Sequence, residues 1–247
     1  MPAARVASVQ AVLAQRFPDA VSTRGWARGT VPTGVAVLDS ILPDGGFQRG
    51  RIAVWSPGPG AAALLRSTCL RTVAGGERSV WIDATHTVAG ACWREGPLLI
   101  QPEGPIAGLR AAEELARSGG FGLVVLDGVD PDTTAMVRLS RGAHEGGSAL
   151  VLLTRSTALA SLRLASRPLP DQYVWRRSPL GEPPVLTAVK LVVEAGASGW
   201  SASTELTIPV WHDRLRLALD THRPDRRGVA NAREPPPAWR NALSTSG

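Results

Sequence analysis

A chain of 247 residues, 44% of them hydrophobic, can bury one sizeable core and leave a terminal extension. No apolar run reaches membrane-spanning length, and the N-terminus lacks the long apolar core of a signal peptide, so a cytoplasmic protein with no membrane partner is expected. The formal charge of +6 comes almost wholly from arginine and favours polyanions or an acidic protein surface, although a GC-rich genome produces the same bias. Two cysteines, Cys69 and Cys92, are too few and too isolated for a disulfide framework or a zinc site, and both read as buried apolar side chains.

Residues 3–17 place Val6, Val9, Val12 or Leu13, and Phe17 on one face, which predicts an amphipathic helix stopped by Pro18-Asp19. Residues 20–30 read as a loop. The spacing of Val35, Leu38 and Leu42 predicts a short helix closed by the turn Pro43-Asp44-Gly45-Gly46. Strands are then expected at 52–55, 79–83, 98–101, 122–127 and 149–154, and helices at 61–73, 106–117 and 133–145. That alternation argues for an α/β fold, with a mostly parallel central sheet flanked by helices. After Thr154 the texture changes. Segments 162–165, 172–176, 187–194, 203–208 and 214–217 look like antiparallel hairpins extending the sheet. Beyond Asp220 the chain is rich in Pro and Arg and reads as a flexible C-terminal tail. The expected organisation is an N-terminal helix and linker (1–32), a core (33–212) and a basic tail (213–247).

The stretch Arg51 to Cys69 organises the rest. A short apolar run ends in the turn Ser56-Pro57-Gly58-Pro59-Gly60, and an Ala/Leu-rich helix follows. Strand, tight turn and helix N-terminus make a frame for binding phosphate. A working phosphate loop also needs a second glycine, a lysine for the β- and γ-phosphates and a hydroxyl for Mg²⁺. Here Ser56 stands for the first glycine, Ala61 for the second, Ala62 for the lysine and Ala63 for the hydroxyl. No neighbouring lysine can substitute, because Lys190 is the only one in the chain. The expectation is an empty site with no cofactor and no metal.

The order of these motifs resembles the core of the bacterial RecA recombinases. More closely, it resembles the ImuA family, RecA-like accessory proteins of an error-prone translesion-synthesis cassette, over roughly residues 33–210. The resemblance is carried by Thr33-Gly34, Leu38-Asp39 and Gly45-Gly46-Phe47-Gln48-Arg49-Gly50-Arg51 before the loop. Its second anchor runs from Leu98-Leu99-Ile100-Gln101-Pro102 through Arg117-Ser118-Gly119 to the strand ending at Asp127. It implies a RecA-like core. Asp127 matches the aspartate that supports Mg²⁺ in the family, with nothing left here for it to complete. Two readings of Asp127 stand, a metal ligand and a structural carboxylate at the sheet edge. The family's catalytic glutamate falls on Ile106, which cannot orient an attacking water. Two lysines that the family sends into a neighbouring subunit's nucleotide fall on Val193 and Ala195. The loops with which RecA grips DNA are trimmed.

The resemblance therefore implies a non-catalytic RecA-like adaptor in SOS-induced translesion DNA synthesis. Its implied partners are an ImuB-like Y-family polymerase homologue and an error-prone replicative-type DNA polymerase. RecA, DNA and a second copy of the chain are further candidates. One alternative is a DNA-binding module acting through arginine patches: Arg155, Arg163, Arg167, Arg176 and Arg177, interleaved with Tyr173 and Trp175, and in the tail Arg223, Arg226, Arg227 and Arg233. The bland counterpart is a solvated hairpin face. Another alternative is an inhibitor resembling the SulA cell-division blocker. Glu103, Glu113 and Glu114 read as solvated charges, and His86, His144, His212 and His222 lack the spacing of metal ligands.

Overall fold

The computed structural model describes residues 29–88, 93, 96–156, 158–177 and 183–210. The expected helix at 3–17, the strand at 214–217, Cys92, His212, His222 and the tail arginines lie outside them.

Eight strands form one sheet: β3 (Ile52–Trp55), β4 (Ser79–Asp83), β5 (Leu98–Ile100), β6 (Leu123–Asp127), β7 (Ala149–Leu153), β8 (Leu162–Arg176), β9 (Val185–Ala197) and β10 (Trp200–Pro209). Their spatial order is β10-β9-β8-β3-β7-β6-β4-β5. Strands β3 to β8 run parallel, and β9 and β10 add antiparallel to β8. Before them, β1 (Thr30–Val31) and β2 (Phe47–Gln48) form a small antiparallel pair, so Thr30, read as the end of a loop, is the first paired residue.

Buried parallel strands need apolar residues on both faces, and the alternation divides them cleanly. Ala53 and Trp55 of β3 face one layer with Trp81, Val125 and Val151, while Ile52 and Val54 face the other with Ile82, Leu126 and Leu152. The first layer is closed by α1 (Ala36–Asp39) and α2 (Ala61–Ala74), the second by α3 (Pro105–Arg117) and α4 (Thr133–Gly146). Helix α2 is built from strong helix formers and buries Ala61, Leu64, Leu65, Thr68, Cys69 and Thr72, one stripe at helical spacing. The Thr68 and Thr72 hydroxyls, which would be unpaired in that layer, donate to the carbonyls one turn back, Leu64 and Thr68. Cys69 is fully buried as expected, and burial pushes its thiol up to about 12. Helix α4 starts on Asp132, whose carboxylate accepts the Ala135 N–H at 2.7 Å, and stops at Gly147 in the left-handed region.

The segments 162–165 and 172–176, read as separate, are one fifteen-residue strand, β8, running through Pro168 and Pro170. The prolines misled because they end most strands. β8 pairs with β3 only at Leu162 to Leu164, so from there on its β3-side edge is free and a missing N–H breaks no ladder on that side. The register with β9 shifts instead, between Pro168 and Tyr173.

The Thr33-Gly34…Leu38-Asp39 motif has a local physical cause. The Asp39 carboxylate accepts both the Thr33 N–H at 2.7 Å and the Thr33 hydroxyl at 2.6 Å, while Leu38 is fully buried. Thr33 is itself buried, so its groups have no water to fall back on. Replacing Asp39 with Ala should lower the unfolding free energy by about 2–3 kcal/mol in urea titrations, and Asp39→Asn, which keeps one acceptor oxygen, by less.

Candidate functional site: the carboxyl edge of the sheet

In open parallel sheets, chemistry gathers outside the carboxyl ends of the strands. At that edge, β3 delivers the turn Ser56–Gly60 into the N-terminus of α2 as expected. The Ser56 N–H donates to Leu164 of β8 at 2.8 Å, and the Ser166 hydroxyl donates to the Pro59 carbonyl at 2.7 Å. The Ala61 N–H turns back to Gly58 at 3.2 Å. Gly60 lies at φ 81°, and a Cβ there would sit 2.2 Å from Leu191 Cδ1 and 3.1 Å from Ile208 Cδ1. A Cβ on Gly58 would meet the Ser166 carbonyl oxygen at 3.0 Å. Both glycines thus admit the β8–β10 strands against the loop, a requirement independent of any phosphate.

The residues in the chemical positions have no such partners. Ala61 is buried, whereas Ala62 and Ala63 expose bare methyl groups in the first turn of α2, which no side chain caps. Arg66, the first cation along α2, lies with its guanidinium 4.6 Å over the Trp93 ring. Lys190 sits on β9 and pairs with Glu205 at 2.6 Å.

Asp127 ends β6 in register with Asp83, which ends β4. The two carboxylates live in opposite environments. Asp83 is fully buried. It accepts the Val88 N–H at 2.8 Å, Gln101 Nε2 at 3.1 Å, and bonds from Thr85 and Thr87. Burial pushes its carboxyl up, but those donors outweigh burial and hold it below the usual range. Asp127 has only a backbone N–H, that of Gly128, to favour its charge. Burial, and then the charge of Asp83, push it up to about 6. Beside them the Thr154 hydroxyl and the Arg155 N–H hold Asp130, whose carboxyl is lowered chiefly by the Thr154 bond. Asp130 thereby ties the connection after β6, only residues 128–132, to the end of β7.

Sequence reasoning gave Asp83, Gln101 and Asp130 no role. Two strands ending in Asp, Ser79–Asp83 and Leu123–Asp127, were a visible signal. The Gln101 clamp, also bonded to the Val88 carbonyl at 2.9 Å, was not, because its partners lie 13 and 18 residues away. Ile106 is 69% exposed in the first turn of α3. Val193 and Ala195 point into the core. Glu103 and Glu114 are exposed, and Glu113 pairs with Arg117 at 2.8 Å. No cluster of three or more His, Cys, Asp or Glu that could hold a metal occurs among the described residues.

The arginine candidates do not converge. Arg163 and Arg167 share one face of β8, opposite the buried Leu162 and Leu164, and Arg167 lies 3.5 Å from Glu194. Arg155 follows β7. Arg176 and Arg177 stand at the far end of β8, up to roughly 40 Å from Arg163 along the strand.

No protein-family model matches the chain. RecA proteins of Bacillus velezensis and Bacillus subtilis are each 34% identical to it over 108 residues, and RecA of Frankia casuarinae is 33% identical over 107. Each match covers 40% of this chain and 31% of the relative, so the chain spans about a third of the length of the curated relatives it matches. The similarity supports a RecA-like superfamily. The mostly parallel sheet flanked by helices is the fold the sequence led one to expect. Among the described residues no helix is long and apolar enough to cross a membrane.

Two outcomes are expected. Asp127 favours its proton in the folded chain, so ionisation opposes folding above pH 6 and that cost fades as the pH falls towards its ordinary value of 3.8. Asp127→Asn should therefore raise the unfolding free energy at pH 8 by about 1–3 kcal/mol, with the gain vanishing near pH 4 in parallel urea titrations. Gly60→Ala should cost about 1–3 kcal/mol through overlap with Leu191, and a double-mutant cycle with Leu191→Ala should return part of that loss.

Proposed function

We propose that this chain is a RecA-fold adaptor that has given up nucleotide chemistry and acts in SOS-induced, error-prone translesion DNA synthesis. In this reading it binds an ImuB-type, Y-family polymerase-like protein and, through it, an error-prone replicative-type polymerase. RecA is a further candidate partner. The observation that carries the reading is the pair of exposed methyl groups, Ala62 and Ala63, where the phosphate frame calls for a cation and a hydroxyl. Phosphoryl transfer depends almost entirely on positioned charge. At this edge the first cation on α2 lies over Trp93, and the residue that the resemblance puts in the place of the catalytic glutamate is an exposed isoleucine. The short connections after β6 and β7 favour a scaffold over a filament-forming recombinase. The translesion setting rests on the resemblance to ImuA in the motifs around Thr33–Arg51 and Leu98–Asp127.

Calorimetric titration of the full chain with ATP and Mg²⁺ should show no heat of binding, and a phosphate-release assay no turnover. Micromolar binding or steady hydrolysis would end the proposal. The purified ImuB-type subunit should co-elute with the chain on size exclusion, and failure to do so would leave a nucleotide-free scaffold with another partner.

A further inference from the structure

We propose that the far end of the β8–β9 ribbon grips single-stranded nucleic acid, with Tyr173 and Trp175 stacking on bases and Arg176 and Arg177 holding phosphates. The inference does not rest on the adaptor reading, which requires no direct contact with DNA.

The ribbon is the most anomalous surface among the described residues. Exposed apolar side chains ordinarily occur singly. Here Tyr173, Val174 and Trp175 are 42%, 50% and 56% exposed in succession. No described helix packs on this end, and from Pro168 to Arg177 no residue of the strand is buried. The ribbon is nevertheless firmly paired: Tyr173 opposes Val189, Trp175 opposes Leu186 and Arg176 opposes Val185. A shift of register after Val174 leaves Thr187 as the extra residue, and its hydroxyl donates to the Val174 carbonyl at 2.9 Å. Tyr173 and Val174 thus lie at the end of the three-stranded region, where β9 also pairs with β10, and Trp175 and Arg176 on the two-stranded end beyond it.

Apolar exposure alone would suit a protein partner as well. The arginines select the polyanion. Arg167 and Lys190 are paired with Glu194 and Glu205 across the strands. Arg176 and Arg177 directly follow Trp175, are exposed, and pair with no described carboxylate; between residues 168 and 190 the sequence has two acids, Asp171, also exposed, and Glu182, which lies outside the described residues. Alternation along the strand puts Tyr173 and Trp175 on one side and Val174 and Arg176 on the other, and Arg177 follows the strand's last residue, so the aromatics share one face and the two arginines flank it at the end of the ribbon. Tyr173 and Trp175 then lie about 6.6 Å apart on one face. Only unstacked bases can lie on such platforms, which favours a single strand over a duplex.

The test uses the full chain and three forms of the ribbon: unaltered, Tyr173→Ala/Trp175→Ala and Arg176→Ala/Arg177→Ala. Fluorescence anisotropy would follow a labelled oligothymidylate of about 16 nucleotides and an abasic deoxyribose-phosphate chain of equal length, from about 50 to 200 mM salt. Loss of the aromatics should weaken oligothymidylate binding about ten-fold or more and leave the abasic chain unaffected. Loss of the arginines should weaken both and reduce the slope of log affinity against log salt by about 1.4. All four side chains are exposed, so thermal unfolding should not change. Unchanged affinity and slope in both variants, or no binding by the unaltered chain, would overturn the proposal. So would variants that keep oligothymidylate binding but lose the ImuB-type subunit, because the ribbon would then be a protein-docking arm.

Discussion

The approach of Leu191 and Ile208 to Gly60 fixes everything at the carboxyl edge of this sheet. A methyl of Leu191 occupies the space a side chain at position 60 would need, so β9 and β10 can lie against the turn only if that residue is glycine. Ser166 holds the Pro59 carbonyl and Leu164 holds the Ser56 N–H, so β8 is anchored to the same turn from its other side. Strand β8 can then run well past the end of β3 and carry β9 with it. The ribbon that bears Tyr173 and Trp175 therefore has its root packed on the loop.

The two aspartates show how position alone decides the behaviour of identical groups. Asp83 is the more deeply buried, yet its donors from Val88, Gln101, Thr85 and Thr87 keep it ionised. Asp127 has a single backbone donor to set against its burial, so burial first and the like charge of Asp83 second push its carboxyl up. In a phosphate site a cation would settle that repulsion. In this chain nothing on α2 reaches forward to do so, since Arg66 lies over Trp93 and the preceding turn presents alanine. The carboxylate pair is better understood as a tied β4 end beside a β6 end left in mild conflict.

The central strands were legible because each is a short apolar run bounded by turn residues, and β3 and β4 fall where the pattern puts them. The helices fall on the expected segments 61–73, 106–117 and 133–145, and bury Leu64, Leu65 and Cys69 in one and Ala112 and Ala116 in the next. What sequence could not supply was pairing at a distance. Gln101 reads as part of a motif but acts by clamping Asp83 and Val88. Pro168 and Pro170 read as breaks because nothing local reveals that one edge of β8 is unpaired. The arginines read as a patch because sequence proximity hides that β8 is extended, which sets Arg163 and Arg176 far apart.

The residues that hold the strand-turn-helix frame are not those that would meet a phosphate. Trp55, Leu64, Leu65, Leu191 and Val193 fill one layer and would hold the strand-turn-helix frame whatever occupied the first turn of α2. Positions 62, 63 and 106 are exposed and meet no such demand, so replacing charge there with hydrocarbon costs the core nothing. The glycines of the loop belong with the first group, because the ribbon needs them. A glycine-rich turn after a buried strand therefore says little about nucleotide here. In the proposed reading the side chains that would touch a phosphate, those of Ala62 and Ala63, are methyl groups, and they carry the functional argument.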